Sequence, residues 1–213
     1  MRFADRAEAG RSLADALERF RDDDAVVLAI PRGGVVVGAE VARHLGAPLD
    51  VVVPRKIRAP GNPELGLGAV AHGVRVLDEA LISRLGVTAS YVEEETSRQI
   101  GEIQRRERVY RGDRPSTPVR GRPAIVVDDG IATGGTAVAA LRWTRSQEPS
   151  RVVLAVPVAP RATARRMQRE ADDVVVLATP EPFLAVGEWY AHFDQTSDDE
   201  VVRLLGGLAR SSA

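Results

Sequence analysis

Short apolar runs rich in β-branched residues recur along the chain, and helical patterns separate them. The runs are brief and mostly without charge, which predicts strands buried on both faces of a parallel sheet. The segments between them place apolar residues at helical spacing. This alternation predicts an α/β fold, with a parallel sheet flanked by helices on both faces. The predicted strands span residues 25–30, 49–53, 124–127, 151–156 and 174–177.

The helical patterns begin and end at recognisable residues. The pattern over residues 78–110 breaks near Gly86, and Thr88 is a typical N-cap for the second part. We interpret the first pattern, residues 5–20, as a packing helix without a chemical role. The remaining predicted helices cover residues 34–45, 137–147, 160–171 and 198–208.

The most informative stretch follows the third predicted strand. Asp128 and Asp129 come directly after it, and a loop of small residues, 130–136, then leads into a helix. Glycines let the backbone turn tightly and present its amides, which suits a phosphate group at a helix N-terminus. Two carboxylates would repel that phosphate, so we expect them to face neutral hydroxyls or a metal ion. A sugar phosphate satisfies both halves of the stretch.

A second glycine-containing turn follows the first predicted strand. Pro31-Arg32-Gly33-Gly34 opens a helix, and bare amides beside a basic residue favour an anion. The turn has neither the Walker lysine nor the glycine spacing of dinucleotide-binding loops. Because the carboxyl ends of parallel strands meet at one edge of a sheet, we expect this turn to lie near the acidic pair.

Together these stretches resemble the phosphoribosyl pyrophosphate (PRPP) motif and the pyrophosphate loop of type I phosphoribosyltransferases. The resemblance implies that Asp128 and Asp129 hold the ribose hydroxyls, and that the 5-phosphate lies on Ala132, Thr133, Gly134, Gly135 and Thr136. It also implies that Arg32, Gly33 and Gly34 bind pyrophosphate, with a cis peptide bond between Pro31 and Arg32. The common motif often carries Asp where this chain has Ala132, which argues against a 6-oxopurine acceptor.

Residues 54–68 form a basic, Pro- and Gly-rich stretch without periodicity. We interpret it as a flexible loop, since long aperiodic segments inside a domain are typically functional lids or disordered. The family has a mobile catalytic loop in this region, which makes Arg55 and Lys56 candidates for neutralising the diphosphate. An ordinary surface insertion is the alternative. A hairpin around His72-Gly73 follows, where His72 is either an acid-base group or, as we favour, a solvated turn residue.

The stretch 179–194 contains four of the nine aromatic residues of the chain. By resemblance to the family's variable hood, Phe183, Trp189 and Tyr190 are candidate acceptor contacts, and packing against the core is the alternative. The predicted organisation is one domain over residues 1–213, with a core at about 21–178, a lid at 54–73 and a hood from about 179.

Composition narrows the function classes. The 213 residues include 29 basic and 30 acidic side chains, a net charge of −1, which argues against nucleic-acid and membrane-surface binding. The chain has no Cys, which excludes thiolate chemistry and Cys-based zinc sites. Its N-terminus lacks the apolar core of a signal peptide, so we expect a cytoplasmic protein. We also expect a homodimer.

The resulting hypothesis is a Mg²⁺-dependent phosphoribosyltransferase that transfers the phosphoribosyl group of PRPP to a nitrogenous acceptor, such as a nucleobase, and releases pyrophosphate. The assigned catalytic residues are Arg32, Arg55, Lys56, Asp128 and Asp129, and both aspartates are candidate metal ligands, directly or through water. One alternative is a non-catalytic PRPP or nucleotide sensor of the same fold. Another is a PRPP-synthesising diphosphokinase, for which the chain offers no second nucleotide site.

Overall fold

The computed structural model describes residues 2–209. Its strands are β1 (Val26–Ala29), β2 (Leu49–Val51), β3 (Arg55–Ala59), β4 (Asn62–Ala71), β5 (Val74–Leu77), β6 (Pro123–Val127), β7 (Arg151–Val158) and β8 (Asp173–Ala178). Its helices are α1 (Arg6–Ala16), α2 (Gly33–Leu45), α3 (Glu79–Leu85), α4 (Ala89–Arg111), α5 (Gly135–Ser146), α6 (Arg161–Met167) and α7 (Asp198–Ala209). Short 3₁₀ turns lie at Glu18–Phe20 and Val186–Trp189.

The central sheet has five parallel strands in the order β2-β1-β6-β7-β8. This arrangement confirms the predicted α/β fold. The strand order changes direction between β1 and β6, and such a switch point opens a crevice at the carboxyl ends of the strands. Ala29 pairs with Val127 at the last position of both strands. The loops that follow β1 and β6 therefore begin side by side.

Successive residues of the central strands enter two different apolar clusters. In β1, Val27 and Ala29 belong to the cluster that includes buried residues of α1, α2, α4 and α7. Val26 and Leu28 belong to the opposite cluster, with buried residues of α5 and α6. A strand covered by helices on both faces has no solvated side, which explains why these runs lack polar positions.

The stretch predicted as an aperiodic loop is ordered as strand, and that part of the prediction is wrong. β3, β4 and β5 form a three-stranded antiparallel sheet. The expected hairpin around His72-Gly73 is present, but β4 extends back to Asn62. Gly68 allows the close pairing, since a Cβ there would lie 2.1 Å from the Val76 carbonyl oxygen. Whether this sheet acts as a lid stays a prediction.

The N-terminal segment of the described chain is joined to the segment before α7. The Phe3 amide donates to the Trp189 carbonyl (2.8 Å), and the Ala191 amide donates to the Phe3 carbonyl (2.8 Å). We call residues 2–6 and 186–194 the terminal strap. The predicted break between α3 and α4 is confirmed. Gly86 ends α3 in a left-handed conformation, and the Thr88 side chain caps the N-terminus of α4.

Candidate active site

The acidic pair lies at the carboxyl end of β6, and each residue is held by hydrogen bonds. Oδ1 of Asp128 accepts a hydrogen bond from the Asp129 amide (2.8 Å). Oδ2 of Asp129 accepts from Nε of Arg6 on α1 (2.7 Å), and its carbonyl accepts from the Tyr190 hydroxyl (2.5 Å). The pair is therefore supported by both segments of the terminal strap.

Burial raises the pKa of both carboxyls of the acidic pair. Burial raises the pKa of Asp128 well above its ordinary value, and the neighbouring Asp129 carboxylate adds to the rise. Burial also raises the pKa of Asp129, and the Arg6 guanidinium offsets part of that rise. Arg6 thus supplies the positive charge that this pair of adjacent acids requires in a partly dehydrated crevice.

The Gly33-Gly34 turn contacts the acidic pair directly. A Cβ on Gly33 would lie 1.9 Å from Oδ2 of Asp129, and a Cβ on Gly34 would lie 2.9 Å from the Asp128 Cα. Only residues without a side chain fit this approach. The Pro31–Arg32 peptide bond before the turn is cis, as predicted. The structure therefore brings together the two loops that the sequence analysis identified separately.

The loop after the acidic pair opens α5 and is braced by α6. Gly134 has a left-handed φ of 73°, and α5 begins at the next residue. The first amides of a helix have no partner within it, so they are available to an anion. From α6, the Thr163 hydroxyl donates to the Ala132 carbonyl (2.7 Å), and the Arg166 guanidinium donates to the Thr133 carbonyl. With its carbonyls engaged by α6, the loop can present amides and Thr hydroxyls to a ligand.

A cavity of about 550 Å³ lies beside this loop. Its walls include Thr133 and Thr136 of the loop, Lys56 of β3 and Arg166 of α6. Lys56 also donates to the Glu64 carbonyl, at 3.2 Å. Lys56 therefore lies beside the candidate phosphate loop, residues 130–136, where it could add positive charge next to an anion.

Comparison with known proteins matches this geometry to one family. Residues 5–196 match the family described as "Phosphoribosyl transferase domain". The chain belongs to this family. The predicted resemblance is thereby confirmed, together with the type I phosphoribosyltransferase-like fold.

Relatives of this family member match most of its length. It is 47% identical over 212 residues, 99% of its length, to proteins of two Mycobacterium tuberculosis strains that carry the name "Putative phosphoribosyl transferase". The match covers 48% of those proteins, so the chain spans about half their length. The crystal structure of TT1426 from Thermus thermophilus is 45% identical, with a TM-score of 0.82 over 96% of this chain and 98% of that one.

The two arginines assigned to pyrophosphate have partners on neighbouring helices. Nε of Arg55 donates to the Gln99 side chain of α4 (3.0 Å), and burial lowers the pKa of Arg55. Nη1 of Arg32 lies 3.8 Å from Asp198 of α7. Among residues 2–209, no hydrogen bond or ion pair connects the Arg55 side chain with either glycine loop. Arg55 lies on a strand and not on the predicted loop, and its role toward the diphosphate stays a prediction.

The aromatic candidates of the hood divide into two groups. Tyr190 is only 2% exposed and packs on Phe3 and Phe193, so its ring has no free face for an acceptor. The assignment of Tyr190 as an acceptor contact is therefore wrong, and its hydroxyl supports Asp129 instead. Phe183 and Trp189 stack on each other with ring centroids 6.3 Å apart and are partly exposed. Their acceptor role stays a prediction.

His72 is also placed differently from our expectation of a solvated turn residue. Its ring stacks on Trp143 of α5, with centroids 4.2 Å apart, and its Nε2 lies 3.1 Å from Oε1 of Glu107. Burial lowers the pKa of His72. The residue packs the hairpin against the core, away from the acidic pair.

The donors at the acidic pair fit Mg²⁺ in the way this ion usually binds. Mg²⁺ takes one or two carboxylates and obtains its other ligands from water and substrate phosphates. Asp128 and Asp129 can provide those carboxylates, although Oδ2 of Asp129 is engaged by Arg6. Within residues 2–209, no cluster of three or more acidic or His side chains could hold a metal by itself.

In the same part of the chain, no helix is both long and apolar enough to cross a membrane.

Sequence reasoning missed several residues of this site. Arg6 belongs to the helix for which we predict packing and no chemical role. Thr163 and Arg166 lie on α6, a short helix with exposed basic positions. None belongs to a motif, and an Arg on an amphipathic helix is ordinarily a solvated residue. Only the packing of α1 and α6 against the two loops reveals their positions.

Proposed function

We propose that this phosphoribosyltransferase moves the 5-phosphoribosyl group of PRPP to a nitrogenous acceptor and releases pyrophosphate. The supporting observation is the direct contact between the Gly33 turn and Asp129, at the switch point of the sheet and next to the phosphate loop. One crevice thereby combines a site for a phosphate, a site for hydroxyls and a site for a second anion. A sugar with phosphate at one end and diphosphate at the other matches this order.

Each part of the crevice would hold one part of the substrate. The amides and hydroxyls of residues 132–136 would bind the 5-phosphate, and Asp128 with Asp129 would accept hydrogen bonds from the ribose hydroxyls. The turn at Gly33 and Gly34 would receive the diphosphate through its amides. Asp128 and Asp129 would hold Mg²⁺, directly or through water, and a bound ion would supply positive charge for the diphosphate.

In the proposed reaction, the protein forms no covalent bond with the substrate. The acceptor nitrogen forms a bond to ribose C1 while the bond from C1 to the diphosphate oxygen breaks, and the acceptor loses a proton. The chain would contribute by fixing the sugar in line with the acceptor and by placing positive charge near the departing diphosphate. Lys56, which lines the cavity beside residues 130–136, and Arg32, which precedes the Gly33-Gly34 turn, are the cations proposed for this role.

Ala132 limits the choice of acceptor. It is exposed on the loop, and its methyl group can neither donate nor accept a hydrogen bond. We therefore propose an acceptor other than a 6-oxopurine. Phe183 and Trp189, partly exposed and stacked, are the proposed surface for its ring.

A sensor of the same fold is the second candidate, and the position of Arg55 favours it. Nε of Arg55 donates to Gln99 of α4, so this Arg is held at α4 and would contribute less to a departing diphosphate than a cation in contact with it. A chain that binds PRPP firmly and lacks this contribution would report PRPP without consuming it. The alternative predicts binding without turnover.

Single-turnover release of pyrophosphate separates the two functions. The protein in excess is mixed with PRPP, Mg²⁺ and one member of a panel of purine, pyrimidine and amine acceptors, and pyrophosphate is quantified. Release with one acceptor supports the transferase, and tight PRPP binding without release from any acceptor supports the sensor. Release that persists unchanged in an Asp128→Asn variant would indicate a contaminating activity.

A further inference from the structure

Arg6 is fixed against the acidic pair by contacts from three directions. Its Nε donates to Oδ2 of Asp129 at 2.7 Å, and its Nη1 donates to the Asp194 carbonyl at 2.7 Å. The guanidinium also lies over the Phe193 ring, 3.8 Å from the centroid. The Arg6 and Asp129 side chains are only 12% and 15% exposed. A guanidinium with this many partners holds one orientation, unlike a solvated Arg on a helix surface.

The surroundings leave Asp129 little freedom to turn away from Arg6. A Cβ at Gly33 would lie 1.9 Å from Oδ2 of Asp129 and 2.6 Å from Nε of Arg6, so the turn forms a wall against the ion pair. The Tyr190 hydroxyl holds the backbone carbonyl of the same residue. Asp129 is thereby held at its backbone carbonyl by Tyr190 and at Oδ2 by Arg6.

Arg6 and Tyr190 come from the two halves of the terminal strap. The halves are joined through backbone hydrogen bonds, among them the His192 amide to the Ala4 carbonyl at 2.9 Å. The strap therefore reaches the carboxylate of Asp129 with one residue and its carbonyl with another. Within residues 2–209, the side-chain donors from outside the acidic pair that reach Asp129 are Arg6 and Tyr190.

We propose that Arg6 is a positioning residue that orients Asp129 toward the sugar and thereby makes the site select ribose phosphates over 2-deoxyribose phosphates. This inference rests on the proposed function, in which the acidic pair binds the ribose hydroxyls. Asp129 can recognise a hydroxyl only while Oδ1, the carboxylate oxygen that does not bind Arg6, points at the sugar. Without Arg6, the carboxylate can rotate, and its bond to the hydroxyl is lost while the phosphate loop is unchanged.

The test compares three ligands by isothermal titration without metal: inorganic phosphate, ribose 5-phosphate and 2-deoxyribose 5-phosphate. The variants are Arg6→Met, Arg6→Lys and, as a matched control, Arg11→Met, which changes an exposed Arg on the same helix. We expect wild type to favour ribose 5-phosphate, and Arg6→Met to weaken that ligand roughly tenfold, the usual effect of losing a charge-assisted hydrogen bond. Binding of phosphate and of the deoxy sugar should change little.

Arg6→Lys keeps the charge but cannot bridge Asp129 and Asp194 with a planar fork, so it should give an intermediate preference. It also keeps the test decisive if Arg6→Met unfolds, which thermal melting would show. A lower melting temperature with an unchanged sugar preference in both variants would reduce Arg6 to a tether for α1. Tighter ribose 5-phosphate binding in Arg6→Met would mean that Arg6 blocks the site, and would also overturn the proposal.

Ligand binding by the wild-type protein distinguishes failure of this inference from failure of the proposed function. If wild type binds neither ribose 5-phosphate nor PRPP, the proposed function fails. If it binds both but shows no preference for the ribose sugar, or if Arg6→Met keeps that preference, only the role of Arg6 fails.

Discussion

The adjacent glycines of the first turn should respond differently to the same added methyl group. At Gly33 the new Cβ would lie 1.9 Å from Oδ2 of Asp129 and 2.6 Å from Nε of Arg6, both side-chain atoms. At Gly34 it would lie 2.9 Å from the Asp128 Cα and 2.9 Å from the Val127 carbonyl oxygen, both backbone atoms. The side-chain atoms at Gly33 can be displaced at the expense of the Arg6–Asp129 contact, whereas the backbone at the end of a central strand cannot move without disturbing the sheet.

The consequences can be estimated from these contacts. Gly34→Ala forces α2 away from β6, and such overpacking costs about 1–3 kcal/mol, or roughly 2–12 °C in melting temperature for a chain of this size. Gly33→Ala displaces the Asp129 carboxylate from Arg6, so ribose 5-phosphate affinity should fall roughly tenfold with a smaller loss of stability. The two variants therefore separate the fold from the site.

Thermal melting and isothermal titration with ribose 5-phosphate provide the measurements. Gly101→Ala is the control, because a Cβ at this position in the middle of α4 meets nothing within 4 Å. It should raise stability by about 0.5–1 kcal/mol, the usual gain for Gly to Ala in a helix. Unchanged ribose 5-phosphate binding in Gly33→Ala would refute the assigned role of Asp129 in binding the ribose hydroxyls, since the methyl group cannot enter without moving the Asp129 carboxylate.

The remaining predictions concern the acidic pair, the phosphate loop and the hairpin. Asp128→Asn should weaken PRPP binding in Mg²⁺ roughly tenfold, and equal binding by titration would contradict its role. Arg166→Met should weaken inorganic phosphate binding severalfold, because the loop loses its brace, whereas the exposed control Arg161→Met on the same helix should not. Since burial lowers the pKa of His72, the folded state resists its protonation, and stability should fall as the pH drops below about 6.5. His72→Asn, which tolerates the positive φ of 44°, should flatten the decline in melting temperature between about pH 6.5 and 5; an identical decline would assign it to other groups.

Local patterns were sufficient for the central sheet and for the two glycine loops. A strand buried on both faces must be apolar at every position, and a loop that presents amides to an anion needs glycine. Both requirements act on consecutive residues, so they are visible in the chain itself. The convergence of the loops also followed, because parallel strands place their carboxyl ends at one edge.

The antiparallel sheet was not visible in this way. β3 alternates buried Ile57 and Ala59 with Lys56 and Arg58, and Gly66 and Gly68 interrupt the apolar pattern of β4. Gly68 is needed because the neighbouring strand approaches closely, which is a property of the pairing and not of the segment. Charged and glycine-rich strands therefore resemble loops until their partners are known.

The sequence by itself determined the α/β class and identified the acidic pair and the candidate phosphate loop, since each depends on neighbouring residues. Only the tertiary structure decided that Arg6 holds Asp129, that Tyr190 supports the same residue from behind, and that Arg55 contacts α4. These contacts join positions far apart in the chain, Arg6 and Asp129 being separated by 123 residues. A side chain's partner across such a distance depends on how helices pack, and no local pattern records it.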